Sequence, residues 1–203
     1  MSKPAKSEDA LNEQIALAAQ GDELACAALY DAFSPAVLRL ALGLLNDLAD
    51  AEEVTQDAFV YALRNLGRFD ARRSAFRTWL FTIAISRCRN KRRRKWLPQL
   101  PLEWLAAERE ASAAPERVVE AALERRGVRR QMWAALQKLS PRLREAVVLR
   151  YLGGLHYKEI GQAVGCHPKT AESRVRLGLE AMRANLRQHA SEIEAALAEW
   201  MAN

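Results

Sequence analysis

Residues 156–186 read HYKEIGQAVGCHPKTAESRVRLGLEAMRANL. A short helix over His156 to Val164, a tight turn at Gly165-Cys166-His167 and a longer helix opened by Pro168 and running to Leu186 have the proportions of a helix-turn-helix. In such a pair the second helix enters the major groove of DNA. Placing Ala171 inward on a 3.6-residue period also turns Val175, Leu179, Met182 and Leu186 inward, so that Lys169, Ser173, Arg176 and Leu177 face out. The plainer alternative is a helical hairpin with a solvated face, and the proportions alone leave both readings open.

Upstream of this pair, Gly153-Gly154 turns the chain. Ser140-Pro141 supplies a capping residue and a proline at the first helical position for a helix through Tyr151, and residues 116–139 read as helical. Between Leu97 and Pro115, the prolines Pro98, Pro101 and Pro115 with acidic and alanine-rich sequence read as a linker. N-terminal to it, helices are expected over Glu8 to Gln20, from Gly21-Asp22 towards Leu45, over Asp50 to Leu66, and from Ser74 or Ala75 onward. Ser34-Pro35 is a point where the second would bend or break, and Asn46-Asp47 a turn. In the fourth, Phe76, Trp79, Leu80 and Ile83 recur at helical spacing before giving way to Arg87 through Lys95. A last amphipathic stretch, Ser191 to Met201, reads as a separate tail helix. The fold class is therefore all-α: two small helical domains joined by a flexible linker, the C-terminal one containing the helix-turn-helix. The expected divisions are 1–96, a linker at 97–115, 116–190, and a tail at 191–203.

Alanine, leucine, arginine and glutamate dominate the 203 residues, which favours long helices over strands. No apolar run reaches the roughly 18–20 residues that span a bilayer, since Val37 to Leu45 is broken by Arg39. The N-terminus Met1-Ser2-Lys3-Pro4 does not read as a secretory signal, so a cytoplasmic location is expected. Three widely spaced cysteines, Cys26, Cys88 and Cys166, suit neither a disulfide framework nor a zinc site, and no metal or other cofactor is expected.

The net charge is +6, but it is unevenly distributed. From Arg68 to Lys95 eleven cations are opposed by Asp70 alone, a net +10, leaving the rest of the chain at −4. This run continues a helix whose first half is apolar and follows an arginine-rich loop, Arg68-Phe69-Asp70-Ala71-Arg72-Arg73-Ser74-Ala75-Phe76. Cations engage phosphates and aromatic faces stack on exposed bases, a combination suited to single-stranded or melting DNA. Trp79 lies on the apolar stripe and is assigned to the core. Along Asp50 to Phe59, the outward residues Glu52, Glu53, Gln56 and Asp57 form an acidic patch that would, taken alone, be ordinary solvated surface.

Four segments in this order resemble the extracytoplasmic-function sigma factors of the sigma-70 family. Asp50 to Phe59 resembles their polymerase-binding helix, and Ser74 to Ala84 the helix after their promoter-melting loop. Leu139 to Tyr151 and Tyr157 to Gly161 resemble their C-terminal module. The resemblance implies a protein that catalyses no reaction and lends promoter recognition to core RNA polymerase, through its β and β′ subunits, with Glu52, Glu53, Gln56 and Asp57 as the docking face. It further implies minus-ten contacts from Arg68, Arg72, Arg73, Ser74, Phe76, Arg77, Arg87, Lys91 and Arg94. Minus-thirty-five contacts would come from His167, Lys169, Thr170, Ser173, Arg174, Arg176 and Leu177. The linker would run towards the polymerase active-site channel, and an anti-sigma protein is an expected partner. The chain departs from the family pattern at His156, where a hydroxyl residue usually opens the helix, although Glu159 keeps the capping-box acid. It departs again at Glu172 and Leu177, where basic residues are common. Leu177 either meets DNA or packs on the 191–201 tail or an anti-sigma protein.

The rival readings are a helix-turn-helix regulator that acts without polymerase, a nucleic-acid enzyme, and a helical interaction protein. The first would be expected to carry a ligand or receiver domain, which is not visible. The second lacks a phosphate loop or a metal-binding motif. The third is hard to reconcile with the basic run from Arg68 to Lys95.

Overall fold

The computed structural model describes residues 5–96 and 130–202, with side-chain surroundings for residues 9–94 and 130–187. The described residues are helical and contain no strand. The linker expected at 97–115 and the first part of the helix expected at 116–139 lie outside them.

The N-terminal module comprises α1 (Ala5–Ala19), α2 (Glu23–Leu45), α3 (Leu48–Arg64) and α4 (Phe76–Trp96). Asp22 starts α2 by accepting the Ala25 N–H at 2.7 Å, an ordinary side-chain cap. The helix then passes without interruption through Pro35, so the break entertained at Ser34-Pro35 does not occur. The proline ring removes only one N–H, a loss that flanking packing can offset. Asn46 closes α2 in the left-handed conformation (φ 56°), and Asp47 caps α3 by accepting the Asp50 N–H at 2.9 Å. The Asn46-Asp47 turn is thus present, with α3 starting two residues earlier than the periodicity suggested.

Taken as a whole, α2 is long and apolar enough to cross a membrane by length and composition, which the run-by-run reading missed. In this fold it is the central core helix. Leu29, Val37, Leu40, Ala41 and Leu44 are buried in one core with Val54, Ala58 and Phe59 of α3 and Leu80 and Ala84 of α4, the helices on which α2 packs. Fully burying a leucine, valine or phenylalanine side chain stabilises the fold by about 1.5–3 kcal/mol.

The C-terminal module comprises α5 (130–137), α6 (Pro141–Tyr151), α7 (Tyr157–Val164) and α8 (Pro168–Ala202). Pro141 opens α6 as expected, but the Ser140 side chain makes no capping bond. The Arg144 guanidinium instead closes the end of α5, donating to the carbonyls of Leu136 (3.2 Å), Gln137 and Leu139 (3.0 Å). Gly165 ends α7 at φ +73°, a left-handed position that favours glycine. Gly161 allows the two helices of the pair to approach, since a Cβ there would stand 2.6 Å from the Cys166 carbonyl oxygen.

The expected tail is not a separate helix: α8 is continuous over 35 residues. Arg187-Gln188-His189-Ala190 contains neither glycine nor proline, so nothing in that sequence stops the helix. Continuity carries residues 191–201 about 21–36 Å along the axis away from Leu177, at 1.5 Å per residue, and rules out their folding back onto it.

Candidate nucleic-acid interface

The segment from Asn65 to Ala75 joins α3 to α4 through a short 3-10 turn (Leu66–Arg68) and a loop built on Asp70. The Asp70 carboxylate accepts the Arg72 N–H at 2.9 Å, and its carbonyl accepts the Arg73 N–H at 3.0 Å. The turn leaves Arg68, Arg72 and Arg73 exposed and Ser74 half-buried. An aromatic cluster holds the loop down. Phe76 meets Phe33 and Phe69 edge-on, at centroid separations of 5.2 and 5.4 Å, and Trp79 joins at 5.5–5.7 Å. Phe76 is only 3% exposed. It was expected to meet bases, but in this arrangement it anchors the loop, because the first turn of α4 points into the core. Trp79 packs in the same cluster, in keeping with its place on the apolar stripe.

The basic side chains of α4 divide by direction. Arg87 lies over the Tyr61 ring of α3 at 4.9 Å, and Lys91 reaches Glu53 at 2.5 Å and Asp50 at 3.4 Å. The hydrogen bond to Glu53 is the main reason that Lys91 holds its proton more tightly than usual. Two groups that the sequence sorted into different surfaces, Lys91 for DNA and Glu53 for polymerase, are thus partners. Arg94 is exposed. Arg77 is half-buried and lies over Phe81 at 5.4 Å.

On α3, Glu52, Glu53, Gln56 and Asp57 are all exposed on one side. Glu52, Glu53 and Gln56 rim a groove of about 850 Å³ whose other wall is Tyr30, Ser34, Pro35 and Leu38 of α2. Apolar side chains in the floor and carboxylates on the rim suit a helix with an apolar stripe and basic flanks.

In the helix-turn-helix, Ala171, Val175 and Met182 are buried, and Lys169, Thr170, Glu172, Arg176 and Leu177 are exposed. His167 is exposed, and its Nδ1 accepts the Lys169 N–H at 3.3 Å. The Ser173 hydroxyl donates to the Lys169 carbonyl at 3.0 Å, Arg174 is half-buried, and Arg176 pairs with Glu180 at 2.9 Å. Leu177 is 45% exposed. At the start of α7, the Glu159 carboxylate accepts the His156 N–H at 2.8 Å, the half of the capping box that the departure at His156 left intact.

Sequence reading missed the residues that join the modules. Arg89 of α4 donates from Nε and Nη2 to the two oxygens of Glu145 in α6, at 2.9 and 2.7 Å, which holds its guanidinium proton more tightly still. Thr78 donates to Glu159 at 3.2 Å, and Gln162 donates to the Arg73 carbonyl at 3.3 Å. These partners are 56 to 89 residues apart, and no local pattern pairs them. The three cysteines are free, and no group of metal-ligating side chains occurs among the described residues.

Residues 29–97 match the model of sigma-70 region 2, and residues 129–182 that of sigma-70 region 4. The chain is 28% identical to the ECF RNA polymerase sigma factor SigW of Bacillus subtilis (strain 168) over 183 residues, covering 87% of this chain and 97% of SigW. It is 28% identical over 189 residues to SigK of Mycobacterium tuberculosis (strain H37Rv), covering 90% and 97% respectively. The fold matches CnrH in a complex with the cytosolic domain of CnrY, with a TM-score of 0.63 and 27% identity over 86% of this chain and 96% of that one. The chain belongs to the sigma-70 family, as an extracytoplasmic-function RNA polymerase sigma factor.

Proposed function

We propose that the N-terminal module docks on core RNA polymerase through the α2–α3 groove and its acidic rim, and meets the minus-ten element with the 68–75 loop and the exposed cations of α4. The C-terminal module reads the minus-thirty-five element through the outer face of α8 from Lys169 to Leu177. The observation that carries this assignment is the pairing of an acidic-rimmed apolar groove on one module with an exposed recognition face on the other. The protein performs no reaction of its own: it supplies promoter choice to the polymerase and acts where the polymerase does, in the cytoplasm. The boundary between the modules is placed at 97–115. CnrH, solved with the cytosolic domain of CnrY, supports a protein partner of the same kind here.

The test is binding of purified core polymerase to the Glu53→Lys, Asp57→Lys double variant. Both residues are exposed, but Glu53 is paired with Lys91, so helicity should be kept and Tm should fall by a few degrees, about as for loss of that pair, while core affinity falls at least tenfold. Wild-type affinity in the folded variant would remove this face from the interface.

A further inference from the structure

The inward stripe of α8 continues past the module that it helps to build. Val175 and Met182 are buried, and Leu179 and Leu186 pack partly buried against the same core. From there the sequence keeps an apolar residue at each helical return: Leu186, Ala190, Ile193, Leu197 and Trp200 follow one another at steps of four, three, four and three. That is the spacing of a heptad seam, on which a second helix packs. Within the module α8 packs on α6 and α7. Those two helices are about 16 and 12 Å long, against about 52 Å for the 35 residues of α8, so even end to end they span little more than half of it. The stretch beyond Leu186 is also too short to be stable in water without packing. Its last turn carries Glu199 and no cation, the wrong sign for the end of a helix.

We propose that this end of α8 is an interaction surface for a second copy of the chain, the two helices running antiparallel about a two-fold axis. Charge selects both the occupant and the direction. Arg183 and Arg187 open the stretch and are exposed, whereas residues 188–203 hold Glu192, Glu194 and Glu199 and no lysine or arginine. Antiparallel pairing lays the basic half of each helix along the acidic half of the other, and parallel pairing lays like on like. The register follows from the seam. With Ala190 level with the partner's Ile193, Leu186 falls level with the partner's Leu197, and Arg183 level with the partner's Trp200, where a guanidinium gains from an indole face. Arg187 and Glu194 occupy the same heptad position, one repeat apart, beside the seam, so each Arg187 stands next to the partner's Glu194 and the pair occurs twice. The interface is isologous and closes at two copies. Exposed Lys169 and Leu177 lie on other sides of α8 from the seam, and the two copies of Leu177 stand about 44 Å apart along the axis. Pairing therefore leaves the outer face of the helix-turn-helix open in both copies.

The test is sedimentation equilibrium of the full chain under reducing conditions. The weight-average mass should climb from that of one chain towards twice that value as concentration rises, and Leu197→Asp should hold it at one chain with the thermal melt of the folded modules kept. Arg187→Glu and Glu194→Arg should each weaken self-association about tenfold, because each turns two attractive pairs per dimer into repulsive ones. Mixed together, these two variants should form a heterodimer at least as readily as wild type pairs with itself, since every altered charge then meets its opposite in the other chain. The Arg187→Glu, Glu194→Arg double variant should recover wild-type self-association. A mass that stays at one chain at every concentration would overturn the proposal, as would growth past two chains. Absence of the heterodimer on mixing would overturn the antiparallel register. If the chain is monomeric throughout and Leu197→Asp instead weakens binding to core polymerase, the seam belongs to the polymerase and not to a second copy.

Discussion

Lys91 and Arg94 lie less than one turn apart on α4, and the structure separates their roles. Arg94 is exposed, whereas Lys91 is committed to Glu53 and Asp50. Each phosphate neutralised adds about 0.9 to the slope of log affinity against log salt on duplex DNA, or about 0.7 on single strands. Between 50 and 200 mM salt, 0.9 of a unit is about 3.5-fold in affinity. Arg94→Ala should therefore lower the slope by about 0.7–0.9 with no loss of stability. Lys91→Ala should leave most of the slope in place and instead remove a partly exposed ion pair, worth about 0.5–1 kcal/mol. That is a fall in Tm of about 1–4 °C for a chain of this size. The assay is fluorescence anisotropy of holoenzyme on a labelled promoter across a salt titration, beside thermal melts of the free protein. A full-unit slope loss in Lys91→Ala with an unchanged Tm would refute the division, by showing that Lys91 leaves Glu53 for a phosphate in the complex.

Gly161→Ala should destabilise the C-terminal module by about 1–3 kcal/mol, because overpacking against the Cys166 carbonyl outweighs the gain in helix propensity. Gly67→Ala, with nothing within 4 Å of the new Cβ, should change denaturant midpoints little. Burial pushes the Cys88 thiol up to about 12, so at pH 8 its thiolate fraction in the folded protein is on the order of 10⁻⁴. Maleimide should label Cys26 or Cys166 first, and Cys88 only on unfolding; mass spectrometry of the labelled sites checks this. The raised value also means that Cys88 stabilises the fold fully below pH 9 and loses this contribution as pH climbs towards 12. Cys88→Ala should therefore flatten the alkaline limb of the stability profile. Leu177→Arg should change the minus-thirty-five sequence selected from a randomised library, since leucine can only pack on a thymine methyl where arginine can grip guanine. Identical selected sequences would make Leu177 a contact for another protein.

The helices and the inward face of the recognition helix were legible in the sequence because both depend on local periodicity and local breakers. Ala171, Val175 and Met182 recur at helical spacing, and the glycine at 165 leaves α7 no other way to end. The same locality explains the misreadings. Ser34-Pro35 reads as a bend or break, yet the helix runs through it because flanking packing offsets the lost N–H; residues 191–201 read as a separate tail from a change of composition, yet no glycine or proline stops α8 before them. Tertiary structure alone decided what each charge is for. Lys91 meets Glu53, Arg89 meets Glu145, and Arg144 closes the end of α5 and reaches Leu44 because helices from distant parts of the chain lie against one another. Electrostatic and hydrogen-bond partners are chosen by distance in space, and no periodic pattern along a single helix encodes that distance.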